Sequence, residues 1–470
     1  MKTENGSKVT LPSRRSIRLQ NKGEDNRKVT KSDNAKDLPN FSTNLLDLND
    51  DCLYAIFDLS RISLGDLCSL TRTCTRLKDI GTKIFEHKHN QSCDLRKIEE
   101  KISVAVATSV MQLFGSTMSK LCISLSESSH PIAIIDSITR YCKSLKSLTL
   151  ESYEVPDNEN AITGLGLLFV NLTTLHLINV NIQRGGSAIT TVRGTPINFF
   201  NQCQLLRSLR VEKCKNLERI IFESFFPKLE RFSYSSYING SIEGFILRHN
   251  GLKTFSLLMS YSTNLISNLE ALTIGCKDLV KLKFGVHTNA LAPTTTWLTR
   301  CMARLKYLRE IKLVSVNTAS TVAKLAEVFP LTLETLELNF CTVDAALILA
   351  MVHLKNLRIF RLYMCRGSLD VSHLGLTRLT ELSFDETPSF GLIRFAPQFN
   401  LIHTVSNLIR LRKLKVNIKE FQLTKSLYHQ LIDVIERRTD AENRYLEMEC
   451  ANVAKDFVYS NCRTVKINVS

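Results

Sequence analysis

Cysteine and histidine are the residues of this sequence best suited to nucleophilic or metal chemistry. The chain has 14 Cys and 10 His in 470 residues, spread over its whole length. No Cys-x-x-Cys pair occurs, and no Cys/His cluster has the spacing of zinc ligands. A cysteine nucleophile would need a base and an activating environment, which no local motif indicates. We therefore expect no metal site, and reduced cysteines that behave as small buried apolar residues.

Other catalytic signatures are missing as well. The sequence contains no GxxxxGK[ST] or GxGxxG loop for phosphates, no GxSxG elbow and no HExxH pair. We expect no catalytic residue and no cofactor, so that the protein acts by binding other molecules.

The charge of the chain is positive and widely distributed. The formal net charge is +16, and residues 1–40 hold ten Lys/Arg and five Asp/Glu. These 40 residues lack periodic apolar positions, which predicts a disordered basic tail. Its cluster Arg14, Arg15 and Arg18 fits either a nuclear import signal or a solvated tail. The general basic bias favours acidic partners or nucleic acid only non-specifically.

The location of the protein can be predicted from its apolar segments. No apolar run is long enough to cross a bilayer, and the charged N-terminus lacks the apolar core of a secretory signal. We expect a protein of the cytoplasm and/or nucleus that does not associate with membranes.

An apolar pattern, LxxLxL, recurs along most of the chain and must position any binding residues. Its twelve copies span 293 residues in eleven intervals, a mean of about 26.6. A repeat of this length and pattern is typical of leucine-rich repeats. The copies start at Met118, Leu145, Leu172, Leu206, Leu229, Leu252, Leu279, Leu308, Leu333, Leu357, Leu379 and Leu411.

This repeat predicts an α/β fold, a leucine-rich-repeat solenoid (horseshoe or arc) with parallel strands on its concave face. The leucines of each copy should point inward and the residues between them outward. Helical returns should separate the strands. Cys214, Cys341 and Cys365 follow three of the strands, at a place where the side chain should turn inward and meet backbone amides.

Three short amphipathic helices are predicted before the repeats. Asn49 and Asp50 suit a helix start. Ser63 and Asp66 form a capping-box pattern that opens a second helix. Cys74, Leu77, Ile80 and Ile84 indicate a third helix.

Residues 48–80 resemble the F-box, a family of adaptor-binding motifs. Leu48, Leu53, Ile56 and Phe57 match its early apolar positions, and Asp66-Leu67 and Cys74 match later ones. The resemblance implies binding to a Skp-type adaptor and through it to a cullin, as in receptors of SCF-type ubiquitin ligases that place a protein substrate for ubiquitination. The residues implied to contact the adaptor are Leu48, Leu53, Ile56, Phe57, Leu64, Leu67 and Leu70.

The sequence departs from the F-box pattern at a few positions, and an alternative stays open. Asn49 stands where the family usually has Pro, Leu77 replaces a late aromatic residue, and the stretch from Phe57 to Asp66 is about two residues longer than typical. Residues 45–86 could instead be a helical cap of the solenoid. The protein would then be a ligase-independent scaffold that binds acidic protein or nucleic acid.

The outward strand positions predict where a protein target binds. They hold nine basic and six acidic residues, a mixed surface with few aromatic side chains, which disfavours nucleic acid. The most basic stretch should grip an acidic or phosphorylated segment. The predicted contacts are Arg210, Arg231, Lys281, Lys283, Lys312, Arg361 and Tyr363.

These predictions divide the chain into five parts. They are a disordered tail (1–40), an F-box (41–86), a helical linker or N-terminal cap (87–117), the leucine-rich repeats (118–424), and a C-terminal helix with a cap (425–470).

Overall fold

Each predicted LxxLxL copy forms a strand of one parallel sheet in the computed structural model. The strand begins two residues after the start of each copy, as at Leu333, which precedes the strand Thr335–Asn339. The inward residues of that strand, Leu336 and Leu338, are fully buried because side chains alternate between the two faces. All twelve copies are strands of this sheet, so the predicted leucine-rich-repeat solenoid is confirmed.

The structure describes residues 45–469 except 60–61, 90, 98–103, 127–129, 157–158, 183–198, 237, 239–240, 260–264, 287–294, 317–318, 370–375, 386–392, 396–400, 419–420 and 455–463. The predicted tail with Arg14, Arg15 and Arg18 lies outside these residues. The chain divides into two units, residues 1–53 and 54–470. The described part of the first unit is a 3-10 turn, Leu45–Asp47, and the residues that follow it up to Leu53.

The main sheet has 15 strands, all paired in parallel, in the order β1-β2-β3-β5-β7-β8-β9-β10-β11-β12-β14-β16-β18-β19-β20. The remaining strands pair outside it, β4 with β6, and β15 between β13 and β17. The strands are β1 (Ser92–Asp94), β2 (Lys120–Ser124), β3 (Ser147–Glu151), β4 (Glu154–Val155), β5 (Thr174–Ile178), β6 (Asn181–Ile182), β7 (Ser208–Glu212), β8 (Arg231–Ser235), β9 (Thr254–Met259), β10 (Lys281–Val286), β11 (Glu310–Val314), β12 (Thr335–Asn339), β13 (Thr342–Val343), β14 (Ile359–Tyr363), β15 (Arg366–Leu369), β16 (Glu381–Asp385), β17 (Ile393–Phe395), β18 (Lys413–Asn417), β19 (Leu446–Cys450) and β20 (Val465–Val469).

Helices connect the strands and bury their apolar sides against the inward leucines. The predicted return with Ile134, Ile135 and Ile138 is α5, and all three side chains are buried. The described α-helices are α1 (Asp50–Leu59), α2 (Leu64–Thr71), α3 (Thr75–His89), α4 (Val104–Phe114), α5 (Pro131–Tyr141), α6 (Glu159–Phe169), α7 (Glu218–Glu223), α8 (Glu243–Arg248), α9 (Leu265–Gly275), α10 (Thr295–Ala303), α11 (Ala319–Val328), α12 (Ala345–Met351), α13 (Leu401–Asn407) and α14 (Lys425–Glu436). None of the helices described is both long and apolar enough to cross a membrane.

The predicted helix starts near the N-terminus are present. The Asn49 side chain accepts a hydrogen bond from the Cys52 amide at 2.8 Å, which caps α1. At α2, the Ser63 hydroxyl accepts from the Asp66 amide at 3.1 Å and donates to the Asp66 carboxylate at 2.7 Å. This is the capping arrangement expected from the sequence.

The ends of the sheet differ in how well the sequence predicts them. The weak copy near Leu446 and the last strand, Val465–Val469, are present as β19 and β20. Strand β1 is not predicted, because residues 87–117 were expected to be helical throughout. This strand has three residues and one buried side chain, Cys93, so it carries no LxxLxL signature. Its pairing with β2 supplies its hydrogen bonds.

The predicted inward turn of cysteine after three strands is confirmed. Cys214, Cys341 and Cys365 are buried. The Val180 amide donates to the Cys214 sulfur at 3.3 Å. The thiols of the other two lie instead near carbonyl oxygens of the preceding repeat, at 3.7 and 3.1 Å.

Candidate protein-binding surfaces

The outward side chains of the main-sheet strands form one surface, which we call the strand face. Its central column contains the middle residue of each strand, because neighbouring strands pair in register. Lys312 lies opposite Glu337, which lies opposite Arg361. Glu337 and Arg361 are only half-buried, whereas the leucines flanking them in their strands are fully buried. The repeat therefore displays one charged or polar column along the sheet.

Acidic residues neutralise most of the predicted basic contacts on this face. The ion pairs Lys281–Glu310 and Arg361–Glu381 each have an N···O distance of 2.6 Å. Because these pairs are partly exposed to water, each contributes at most about 1 kcal/mol to stability. Their main consequence is that the positive charges of Lys281 and Arg361 are neutralised locally. Similar pairs join Lys312 to Glu337 and Arg210 to Glu212.

The prediction that the basic residues of the strand face bind an acidic segment needs correction for this reason. Four of the six predicted cations are paired with carboxylates of the same face, since the register places acids beside them. The other two, Arg231 and Lys283, form no ion pair within the described residues. Arg231 is exposed at the edge of β8, and Lys283 is half-buried in the central column.

Lys283 is a half-buried cation of the central column that forms no ion pair within the described residues. Burial lowers its pKa, and the neighbouring Lys312 lowers it further, while Glu337 acts in the opposite direction. Arg210 also lowers this pKa, since only the small residues Ser233 and Ser256 stand between them in the register. An anionic group of a ligand placed here would relieve this repulsion.

A cavity of about 490 Å³ opens on the strand face over the last repeats. Arg361 and Tyr363 lie in its lining, so the structure brings these two predicted contacts together. Lys415 also lines the cavity, and its Nζ atom lies 2.9 Å from a carboxylate oxygen of Asp385 and 2.9 Å from one of Glu449. Strands β19 and β20 also contribute Glu447, Glu449 and Asn468, which the sequence does not predict because the repeat signature of these strands is weak.

Phe340 is an aromatic residue beside this cavity that the repeat pattern does not predict as a contact. It directly follows β12, is 44% exposed and has a φ of +53°. Its ring meets the edge of Tyr363 at a centroid distance of 5.7 Å and an interplanar angle of 85°. The same left-handed conformation occurs directly after β3, β5, β7, β11 and β14, so it belongs to the repeat, and the exposure of Phe340 is what makes its ring available to a partner. Phe340 and Tyr363 are therefore candidate anchors for a bound protein.

The seven predicted adaptor contacts differ in their accessibility. Ile56 is 42% exposed, and Leu48, Leu64 and Leu70 are half-buried. Leu53, Phe57 and Leu67 are buried. Buried side chains cannot reach a partner, and the last two lie on the inner faces of their helices. We therefore correct the candidate adaptor contacts by removing these three.

Helices α2 and α3 pack against α4, the first helix of the solenoid. The Phe85 ring of α3 stacks on Phe114 of α4 with a centroid distance of 4.3 Å. The Arg72 guanidinium donates to the Ser109 hydroxyl at 2.5 Å. One side of this helical pair is therefore covered by the chain itself.

The buried thiols differ in pKa: the hydrogen bond with Cys365 lowers the pKa of Cys341, whereas burial raises that of several others. Burial raises the pKa of Cys68 and Cys214 to about 11 and that of Cys142 and Cys203 to about 12. These thiols stay protonated at neutral pH and are poor nucleophiles. Within the described ranges, no group of three or more His, Cys, Asp or Glu side chains could hold a metal ion.

Comparisons with known proteins add little to this description. A scan of the sequence against protein-family models finds no match, and a search of curated proteins finds none either. Among solved structures, the chain is similar to the Rad7 and Elc1 complex in yeast, with 15% identity and a TM-score of 0.38 over 89% of this chain and 92% of that chain.

Two further solved structures contain a similar chain. One is an internalin (inlF) from Listeria monocytogenes, with 15% identity and a TM-score of 0.32 over 68% of this chain and 89% of that chain. The other is a TLR13–ssRNA13 complex, with 14% identity and a TM-score of 0.38 over 67% of this chain and 48% of that chain. At these values the fold assignment rests on the strand register and repeat spacing of the chain itself.

Proposed function

We propose that this chain is the non-catalytic substrate-recognition subunit of an SCF-type ubiquitin ligase. Helices α1 to α3 bind a Skp-type adaptor, which links the chain to a cullin, and the strand face binds a protein target. The supporting observation is an accessible apolar residue, Ile56, on a short capped helix that precedes a leucine-rich-repeat solenoid. Exposed apolar side chains of this kind favour a protein partner where they cluster.

The chain would promote ubiquitin transfer by proximity alone. Holding a target and a charged conjugating enzyme in one complex raises the effective concentration of a target lysine. This role needs no catalytic residue of its own. It would operate in the cytoplasm and/or nucleus.

The target would bind over the cavity of the last repeats. Phe340 and Tyr363 provide aromatic anchors there, the residue type that contributes most to binding energy in protein interfaces. The surrounding ion pairs, Arg361–Glu381 and those of Lys415, would select partners of complementary charge.

A second candidate is a ligase-independent scaffold whose first helices serve only as a cap. The stacking of Phe85 on Phe114 and the hydrogen bond from Arg72 to Ser109 favour it, because they cover the open end of the solenoid. The two candidates differ in whether the side with Ile56 also binds an adaptor.

Co-purification of the full chain with a Skp-type adaptor and a cullin distinguishes these candidates. Ile56→Asp should reduce capture by more than about tenfold, because it places a charge in an apolar contact. The matched control is Ile132→Asp, an apolar residue of α5 that is 38% exposed. Both variants should keep the circular dichroism spectrum of the original chain. No capture by the original chain would remove the receptor proposal and leave the scaffold, whereas equal capture by both variants would remove Ile56 from the adaptor contact.

A further inference from the structure

A β-turn precedes each of the twelve predicted strands on the same side of the sheet. Each turn is closed by a hydrogen bond from the first leucine of LxxLxL, or from Met118, to the carbonyl three residues earlier. Examples are Leu279 to Cys276 at 3.3 Å and Leu308 to Leu305 at 3.3 Å. The two central residues of the twelve turns therefore occupy equivalent positions.

A second row of residues runs beside these turns. The residue directly before each strand continues the backbone ladder, as when Arg309 donates to Val280 at 2.8 Å and Arg358 donates to Glu334 at 2.8 Å. We call the two turn positions and this row together the turn edge. It repeats once per strand, with a spacing of about 4.8 Å at the sheet.

The turn edge is strongly basic. Its 36 positions hold thirteen Lys or Arg residues and three Asp or Glu residues. The opposite edge differs, since only Lys213 is charged among the residues with positive φ that directly follow a main-sheet strand there. The 36 positions of the turn edge therefore carry a net charge of +10.

Most of these cations are not neutralised. Arg207 and Lys253 pair with Glu230, Arg309 pairs with Glu334, and Arg412 pairs with Glu442. The other nine form no ion pair within the part of the chain that the structure describes. This contrasts with the strand face, where most cations have acidic neighbours. Free positive charge is therefore displayed by the turn edge and not by the predicted site.

A groove of about 480 Å³ lies in the middle of the turn edge, between neighbouring repeats. Lys277, Arg304 and Lys306 line it together with Thr273, Ile274 and Tyr307. Three cations and no carboxylate surround this groove. An anionic group bound there would meet several charges at once.

We propose that the turn edge binds the phosphate backbone of a nucleic acid duplex without reading its base sequence. Seven of the twelve rows hold an unpaired Lys or Arg side chain, and such unpaired cations along one edge are the feature that this binding requires. Twelve rows at about 4.8 Å extend roughly 50 Å, the length of about 15 base pairs at 3.4 Å each. The mixed strand face is not involved, and this inference stands apart from the proposed adaptor binding.

Two observations favour a duplex over other anionic partners. Tyr307 is the one aromatic residue at the central positions of the twelve turns, so the edge offers no series of stacking platforms for single-stranded bases. At the turn positions the exposed apolar residues Val170, Leu331 and Ile409 stand singly in different turns, and Ile274 and Tyr307 form a patch of only two residues in the groove. An acidic protein would be expected to need a contiguous apolar centre.

Binding of a fluorescent duplex of about 20 base pairs to the full chain tests this proposal between about 50 and 200 mM salt. The edge variant is Lys277→Glu/Lys306→Glu/Lys355→Glu. The control variant, Lys215→Glu/Lys324→Glu/Lys425→Glu, changes the charge equally at exposed sites outside the turn edge. The edge variant should lose more than about tenfold in affinity, and its plot of log K against log salt should be shallower by about 2.7, whereas the control should keep most of its affinity.

Three results would overturn the proposal. They are no binding of the duplex at the lowest salt, an equal loss in both variants, or edge-dependent binding in which polyglutamate or phosphatidylserine vesicles compete better than the duplex. Adaptor capture should be unchanged in the edge variant. A failure of the adaptor experiment and a failure of this one are therefore separable.

Discussion

Arg438 is a single buried residue that holds the C-terminal end of the solenoid together. Its guanidinium donates to the carbonyls of Leu411 and Asn443 at 2.9 Å each and to those of Val405 and Leu408 at 3.2 and 3.1 Å. No carboxylate of the described residues pairs with it, and burial lowers its pKa to about 10. The side chain therefore serves as a hydrogen-bond donor to four backbone groups.

We predict that Arg438→Met lowers the free energy of unfolding by about 3 kcal/mol, because it removes one buried donor from each of these four carbonyls. Urea denaturation measures this change. Arg437→Met is the control, since its side chain is exposed. A loss under about 1 kcal/mol in the Arg438 variant would mean that water replaces the lost donors.

His249 makes stability depend on pH. Its Nε2 atom accepts a hydrogen bond from the Phe226 amide at 2.9 Å, and its Nδ1 atom lies 2.6 Å from the Phe245 carbonyl. This arrangement fits the neutral ring with its proton on Nδ1. Burial lowers its pKa below the usual value of about 6.5. On acidification His249 is protonated in the unfolded chain before it is protonated in the folded chain. Its contribution to the free energy of unfolding is therefore fully present above about pH 6.5 and is lost as the pH falls below that value.

At about pH 5.5 this residue should reduce the free energy of unfolding by up to about 1.4 kcal/mol. Denaturation of the original chain and of His249→Gln, at about pH 7.5 and 5.5, isolates this effect from that of the other histidines. The variant should lose less stability on acidification. An identical loss in both proteins would contradict the neutral assignment.

The ion pairs between side chains of neighbouring strands were the part of the site that the sequence predicted least well. The alternation of Leu336, Glu337 and Leu338 predicts which residues face outward, because it depends only on local strand geometry. It does not predict that Glu337 neutralises Lys312, since these residues are 25 positions apart and meet through the register of two strands. The left-handed conformation of Phe340 is likewise a property of the bend after a strand.

At the scale of the element, this bend recurs after several strands with a left-handed residue. Asn179 has a φ of +51° and Lys213 a φ of +54°. Asn tolerates this region better than other non-glycine residues. We predict that Lys213→Asn raises the free energy of unfolding by about 0.5–1 kcal/mol and that Asn179→Ala lowers it by a similar amount. Chemical denaturation would refute this account if both variants changed stability in the same direction.

The contact between α3 and α4 joins the N-terminal helices to the repeats. Because the buried ring of Phe85 stacks on Phe114, Phe85→Ala should cost about 3–5 kcal/mol. Thermal unfolding followed by circular dichroism measures the loss. The exposed residue Tyr307 provides a control, as Tyr307→Ala should change stability little. A midpoint unchanged by Phe85→Ala would mean that these helices do not stabilise the solenoid.

Element types were predictable where their pattern is local and strong. The LxxLxL copies and the capped starts of α1 and α2 are examples, because each depends on residues within one turn or strand. The accessible face of α2 was not predictable, since it depends on α4, more than thirty residues away in sequence. The burial of Leu67 is the result.

At the scale of the whole molecule, three surfaces have different compositions. Helix α1 exposes the apolar residue Ile56, the strand face is charged but internally balanced, and the turn edge carries unpaired cations. The sequence predicted the first two from a resemblance and from strand alternation. It did not reveal the third, because its residues are separated by whole repeats and become neighbours only through stacking.

Hydrogen–deuterium exchange of the full chain, alone and with a saturating Skp-type adaptor, tests the central claim most directly. The receptor account predicts slower exchange in peptides of α1 and α2 from Ile56 to Leu70, and unchanged exchange in strands β7 to β16. Those strands should remain available to a target. Unchanged exchange in α1 and α2, or protection confined to the strand face, would contradict the account.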